Sequence, residues 1–383
     1  MTVSDPIAAR GAYHLIGAPL SLFTGKVRGY LRWKNLPFCE APATREVYKS
    51  VIVPRVGWPV IPVVITPEGD TLQDTTEIID SLEAREGGPG VYPTTPRQRL
   101  AALLFEVMGD EWLLQPAMHY RWAYNADWAH LEFGRTAFPH LPEDEQREAG
   151  KKAAERFQGA LPFLGINEAS APAIERLYLA FLELFDAHLA AHPQLFGHRP
   201  SIGDYGLLGP LYAHLLRDPA SGPVMQARAP RVADWARRTH APQHSLTGGF
   251  LDDDATPPTL VPLLALWARE GLPVLLDAAA QLARWTVATP EHQGALPRVT
   301  GFHKVRFDGV EADRAVFPYS VWMLQRIVDA LAAAEREDRA NVHAFLHTIG
   351  ADVLIDYTPP VRVARRNFQI VLATQADPVW SPL

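Results

Sequence analysis

An α/β domain, then an all-helical domain, then a mainly helical C-terminal extension containing a β-hairpin: this is the architecture the chain predicts. Three observations predict it. Strand-like and helix-like segments alternate over residues 12–92, small enough for one compact sheet with helices on its faces. From Arg97 to about His240 apolar residues recur with helical spacing. In the last third, Asp308-Gly309 separates two alternating runs, Phe302–Phe307 and Val310–Val316, which is a strong hairpin signal. The predicted domains are 10–92, 97–250 and 251–383.

In the first domain, residues 13–16 read as a strand and Gly17-Ala18-Pro19-Leu20 as the loop after it. Leu22–Trp33 has helical spacing, with Val27, Tyr30 and Leu31 on one face. Residues 38–40 and Val63–Ile65 read as further strands, and 74–85 as a helix. Pro62 stands at the head of the third strand. Proline has no N–H for a ladder, so this entry is expected to be tight, cis and partly unpaired. Free backbone groups there can pair with an extended peptide, and the helix start at Asp74-Thr75 can hold a carboxylate. The pattern suits a small, charged, peptide-like ligand.

Residues 97–115, 142–159 and 171–191 each predict a helix of several turns. Ser201-Ile202-Gly203-Asp204 has the form of a helix-start box, serine and aspartate exchanging hydrogen bonds. Beyond Asp252-Asp253-Asp254, residues 260–285 predict two helical pieces split at Gly271 and Pro273. Residues 318–334 and 339–349 predict two more helices.

Composition narrows the function. A net charge of −7 provides no basic field for nucleic acid or an anionic membrane. One cysteine, Cys39, excludes an intrachain disulfide and a Cys-based metal cluster, which fits a reducing cytoplasm. Residues 1–10 lack an apolar signal core. The apolar run from Leu260 to Leu266 is interrupted by Pro262 and, further on, Arg269, so no membrane span is expected and the protein is read as soluble. His119 and His130 lack metal-ligand spacing, and no metal is expected.

Three segments, in order, resemble the glutathione transferase superfamily. Ser21-Leu22-Phe23-Thr24-Gly25-Lys26-Val27-Arg28 is similar to its Ser-Pro-Phe-Ser-x-Lys-Val-Arg first-helix segment. Val60-Ile61-Pro62-Val63-Val64 resembles its cis-proline segment. Leu72-Gln73-Asp74-Thr75-Thr76-Glu77-Ile78-Ile79 resembles its Leu-x-Glu-Ser-x-x-Ile segment. The resemblance covers about residues 10–245. It implies a thioredoxin-like N-terminal domain, a helical domain carrying the second-substrate pocket, glutathione as co-substrate, a small electrophile as partner, detoxification chemistry and a cytoplasmic homodimer.

Carried over, Ile61 would pair its backbone with the cysteinyl unit beside a cis Pro62, and Asp74 and Thr75 would hold the γ-glutamyl end. Ser21 would activate the thiol, with Thr24 as the alternative hydroxyl. Leu22 replaces the usual proline after the serine, and Asp-Thr replaces Glu-Ser. The cysteine-using classes are excluded because neither Ser21 nor Thr24 is a thiol. Against these roles stand plainer ones: Ser21 and Asp74 as helix caps, Arg28 as a buried ion-pair partner, Cys39 as a buried inert thiol.

Trp112, His119, Tyr120 and Arg121 are candidates for the electrophile pocket, with core packing as the default. Arg362, Arg365 and Arg366 form a basic cluster, read as a solvated face or a surface for internal acidic partners, and alternatively as an anion site. A rival to the enzyme is a transferase-fold binding or scaffold protein without catalysis.

Overall fold

A computed structural model describes residues 11–242, 247–377 and 379–380; the reading of residues 1–10 lies outside them. Its first element is β1 (Tyr13–Gly17), followed by α1 (Leu22–Trp33) and β2 (Phe38–Pro42). A short helical stretch comes next: α2 (Arg45–Val47), a wide turn over Tyr48–Ile52, and α3 (Val53–Val56). Then come β3 (Val63–Ile65), β4 (Thr71–Gln73) and α4 (Thr75–Arg85). The sheet order is β2-β1-β3-β4. β1 and β2 are parallel, with Gly17 opposite Pro42. β3 runs antiparallel to both neighbours, Val63 facing Ile16 on one side and Gln73 on the other. This is the thioredoxin-like sheet expected of the first domain.

Alternation along the strands sorts side chains to two faces. Leu15 and Val64 join Val27, Tyr30, Leu31, Ile78, Ile79 and Leu82 of α1 and α4. Ile16, Val63 and Ile65 point the other way, onto Val51, Ile52 and Val56. Residues 45–56 and the three-residue β4 were not anticipated: the first changes from α-helix to a wider turn and back within twelve residues, which blurs its period, and the second is too short to show one. Cys39 is a correction: it is exposed rather than buried. Its strand is the edge of the sheet, and most of its length faces solvent.

The helical region comprises α5 (Pro96–Val107), α6 (Leu114–Tyr124), α7 (Ala126–Ala137), α8 (Glu143–Gln158), α9 (Ala171–Leu189), α10 (Ile202–Pro210), α11 (Ser221–Arg228) and α12 (Pro230–His240). The single helix expected over 97–115 is instead interrupted by a wide turn at Met108–Trp112. The wide turn coincides with a backbone-to-backbone approach: a Cβ on Gly109 would lie 2.2 Å from the Gly206 backbone of α10. α10 opens with the expected box. Ser201 N–H donates to Asp204 Oδ2 at 2.7 Å, and Asp204 N–H donates to Ser201 Oγ at 3.3 Å.

The C-terminal extension holds α13 (Val261–Glu270), α14 (Leu272–Ala288), the hairpin β5 (Phe302–Phe307) and β6 (Val310–Ala315), α15 (Pro318–Ala332), α16 (Arg339–Thr348), and a second hairpin of β7 (Val363–Arg366) and β8 (Gln369–Leu372). Among the described residues one helical stretch, Pro258–Ala288, is by length and composition apolar enough to cross a membrane. In this fold its side chains pack inward: Leu263, Leu264, Trp267, Leu275, Ala279 and Leu282 are buried. Apolar residues from Tyr13 to Val363 form one connected core spanning all three predicted domains.

Candidate functional site

Strand directions bring the candidate residues to one edge of the sheet. Ser21 follows the end of β1, Tyr48 follows β2, Ile61-Pro62 precedes the antiparallel β3, and Asp74 follows β4. All four lie beyond the end marked by Gly17, Pro42, Val63 and Gln73.

Ser21 is the N-cap of α1, half-buried, its Oγ accepting from the Thr24 N–H at 3.2 Å. Its hydroxyl proton has no partner among the described residues. The N–H groups of Leu22 and Phe23, in the first turn of a 12-residue helix, are unpaired there too, so the local field is positive. Thr24 is fully buried. It lies under Gly17, where a Cβ would stand 2.2 Å from the threonine methyl. Of the two hydroxyls, only Ser21 reaches the surface.

The Ile61–Pro62 bond is cis. Among the described residues neither the N–H nor the C=O of Ile61 has a hydrogen-bond partner. An unpaired strand edge therefore lies beside the proline. Asp74, at φ 78°, caps α4: its Oδ1 accepts from the N–H of Thr76 at 3.0 Å and of Glu77 at 3.3 Å. The Thr75 N–H and hydroxyl make no hydrogen bond among the described residues, so they are the donors left at this helix start.

The extension borders the same edge, which sequence reasoning missed. Arg365 donates to Gln73 Oε1 at 2.9 Å and lies 2.9 Å from Glu77 Oε2. Burial raises the Glu77 pKa, and Arg365 opposes the rise. Tyr319 is also drawn in: burial pushes its phenol up, and the Asp74 carboxylate pushes it further. Phe368, in the turn between β7 and β8, packs against the cluster of Ile16, Val51 and Val63, as do Tyr48, Trp58, Val60 and Ile61. The signal was the basic cluster at 362–366, whose partners are internal acids: Arg362 pairs with Asp329 at 2.8 Å and Arg366 with Asp377 at 2.5 Å.

The four pocket candidates sit in packed surroundings. Trp112 meets Phe181 edge-on. His119 Nε2 is 2.7 Å from Glu175, and Tyr120 packs on Tyr178, its phenol pushed up to about 12 by burial and then by Glu175. Arg121 is a buried strut: two 2.7 Å bonds to Asp218, one to the Leu20 carbonyl at 2.7 Å and one to Ala213 O at 2.8 Å. It braces the loop that presents Ser21. Arg28 pairs with Glu40 at 2.5 Å.

Residues 15–90 match the family model described as glutathione S-transferase, N-terminal domain. Among solved structures, a glutathione S-transferase from Rhodospirillum rubrum is similar at 16% identity, covering 64% of this chain and 96% of that one, with a TM-score of 0.40. One from Methylobacterium radiotolerans, in complex with glutathione sulfonate, is 22% identical over 64% of this chain and 100% of its own, with a TM-score of 0.36. The beta-etherase LigF of Sphingobium is 16% identical over 60% and 95%, with a TM-score of 0.45. No curated protein matches the chain. Residues 15–90 thus form a domain that matches the N-terminal domain of glutathione S-transferases.

Proposed function

We propose that the chain binds glutathione along the sheet edge and adds its thiolate to a small electrophile. The observation that carries this reading is the unpaired Ile61 backbone beside cis Pro62, on the same edge as the free Ser21 hydroxyl and the free Thr75 donors. An extended tripeptide would pair with Ile61, seat its γ-glutamyl carboxylate at Thr75, and bring its sulfur toward Ser21. The serine would not attack. Its O–H, with the first-turn N–H groups of α1, would stabilise the thiolate and raise its population near neutral pH. Holding the nucleophile in place supplies the remaining advantage.

We infer the cytoplasm as the compartment, where glutathione is abundant and Cys39 stays a thiol. The resemblance implies a homodimer through the faces of the two domains. Here α15 packs on α5, and Arg326 and Trp380 reach Asp80 on α4, so the extension covers part of both domains.

Ser21→Ala removes the hydroxyl and the cap together. We expect conjugation of a generic aryl halide to fall at least roughly tenfold, about 1.4 kcal/mol of transition-state stabilisation, with a stability loss of about 1 kcal/mol. Unchanged conjugation would remove Ser21 from the chemistry. The rival, a binding module without catalysis, is favoured by Phe368 of the extension packing against the same buried cluster as Ile61. Retention on immobilised glutathione without conjugation would establish that rival.

A further inference from the structure

The inward face of the β5–β6 hairpin carries two basic side chains among apolar ones. His303 and Arg314 stand opposite each other across the two strands, and Val305, Phe307 and Ala312 are buried on the same face. The two basic side chains are 0% and 2% exposed. Directly opposed residues place their Cβ atoms about 4.5–5.5 Å apart, so these side chains leave the strands as neighbours.

Each is tied at one end. His303 Nδ1 lies 2.7 Å from Asp277 Oδ2 of α14. Arg314 Nη2 donates at 3.2 Å to Glu111 Oε2, in the wide turn between α5 and α6, and Ser320 Oγ donates to the same oxygen. The Phe317 ring backs the guanidinium, 5.3 Å from its central carbon. The other ends are free. His303 Nε2 and Arg314 Nε and Nη1 are buried and have no hydrogen-bond partner among the described residues. Such atoms are costly to leave unmet, and three of them sit on two adjacent side chains.

The free atoms define a ligand. A carboxylate only accepts, so the Nδ1 facing Asp277 carries a proton and Nε2 of the neutral ring presents a lone pair. Burial lowers the His303 pKa; Asp277 opposes this and Arg314 reinforces it. Arg314 offers only donors. N–H donors beside a single acceptor match a carboxyl group: one oxygen accepts from arginine, and the other shares a proton with His303. The charges agree. Asp277, Glu111, Arg314 and, 3.7 Å from Asp277, Arg284 sum to zero. A carboxylate arriving with one proton leaves that sum unchanged, whereas a bare halide would not. The Asp277 side chain is 42% exposed, so the cluster reaches solvent there.

We propose that the extension holds a small monocarboxylate, taken up with one proton, between His303 Nε2 and the free N–H groups of Arg314. The site lies on the seam with the helical region, and it does not depend on the glutathione reading.

Titration calorimetry with acetate, repeated in two buffers of unlike ionisation enthalpy, tests it. The wild type should take up about one proton per acetate bound at pH 7. His303→Phe and Arg314→Met should bind acetate at least roughly tenfold more weakly. Arg314→Met strands Glu111, but His303→Phe strands no buried group, because Asp277 meets water and Arg284. A crystal soaked in acetate should show the carboxyl group between His303 and Arg314. An ordered water alone at that place, no acetate binding by the wild type, binding without proton uptake, or equal binding by His303→Phe would each overturn the proposal.

Discussion

Lys26→Met is expected to destabilise the protein by about 3–5 kcal/mol, because it strands two buried carboxylates. The Lys26 ammonium lies 2.6 Å from Asp110 and 2.8 Å from Glu106, with all three side chains at 0–1% exposure. Thr76 donates to Glu106 at 2.8 Å, and Arg326 of the extension stands 3.7 Å from the same carboxylate. This network joins α1, α4, α5 and α15, so its loss is felt in all three parts of the chain. Burial pushes the Asp110 carboxyl up to about 7 despite the attraction of Lys26. Burial acts to lower the Lys26 pKa, but Asp110 and Glu106 outweigh it, and the net shift is upward.

The sign of the pH dependence follows. A carboxyl whose pKa is higher in the folded state than the ordinary value near 4 binds more protons folded than unfolded, so its contribution declines as pH rises from about 4 to 7. Without Lys26 nothing nearby offsets its burial as strongly, and the decline continues to higher pH. Urea denaturation should therefore show a larger penalty for Lys26→Met at pH 8 than at pH 5. A penalty below about 1 kcal/mol at both pH values would mean that the carboxylates find other partners.

Arg121→Met has the second large effect, again about 3–5 kcal/mol, since Asp218 is left buried without its two-pronged partner. Burial already raises the Asp218 pKa, and Arg121 is what holds it down. The substitution also frees the Leu20 carbonyl next to Ser21. Conjugation should then lose kcat, with little change in KM for the electrophile. A pocket-wall role predicts the reverse: altered KM and intact stability. Arg121→Lys should recover less than half of the stability, because an ammonium cannot match the planar fork.

The elements with a full period or a distinctive start were legible in the sequence. Leu22–Trp33 was read to the residue, the Ser201 box was read from its two end residues, and Asp308-Gly309 announced the β5–β6 hairpin. Elements without a period were not: β4 has three residues, and the bend at Met108 coincides with a close approach to Gly206, far away in sequence. Cys39 was misplaced because burial depends on sheet order, and strand spacing does not reveal which strand is the edge. The site divides the same way. Ser21, Ile61, Pro62, Asp74 and Thr75 lie in short motifs whose order along the chain mirrors the strand ends. Tyr319, Arg365 and Phe368 belong to the extension, and only its long-range packing brings them to this edge.

The proposed chemistry depends on the Ile61 edge accepting a peptide. A crystal structure of the protein soaked with glutathione tests it most directly. The expected complex has the cysteinyl backbone paired with the Ile61 N–H and C=O, the sulfur at Ser21 Oγ, and the γ-glutamyl carboxylate at the Thr75 N–H. Glutathione absent at saturating concentration, or bound elsewhere while another part of the chain fills the Ile61 edge, would contradict it.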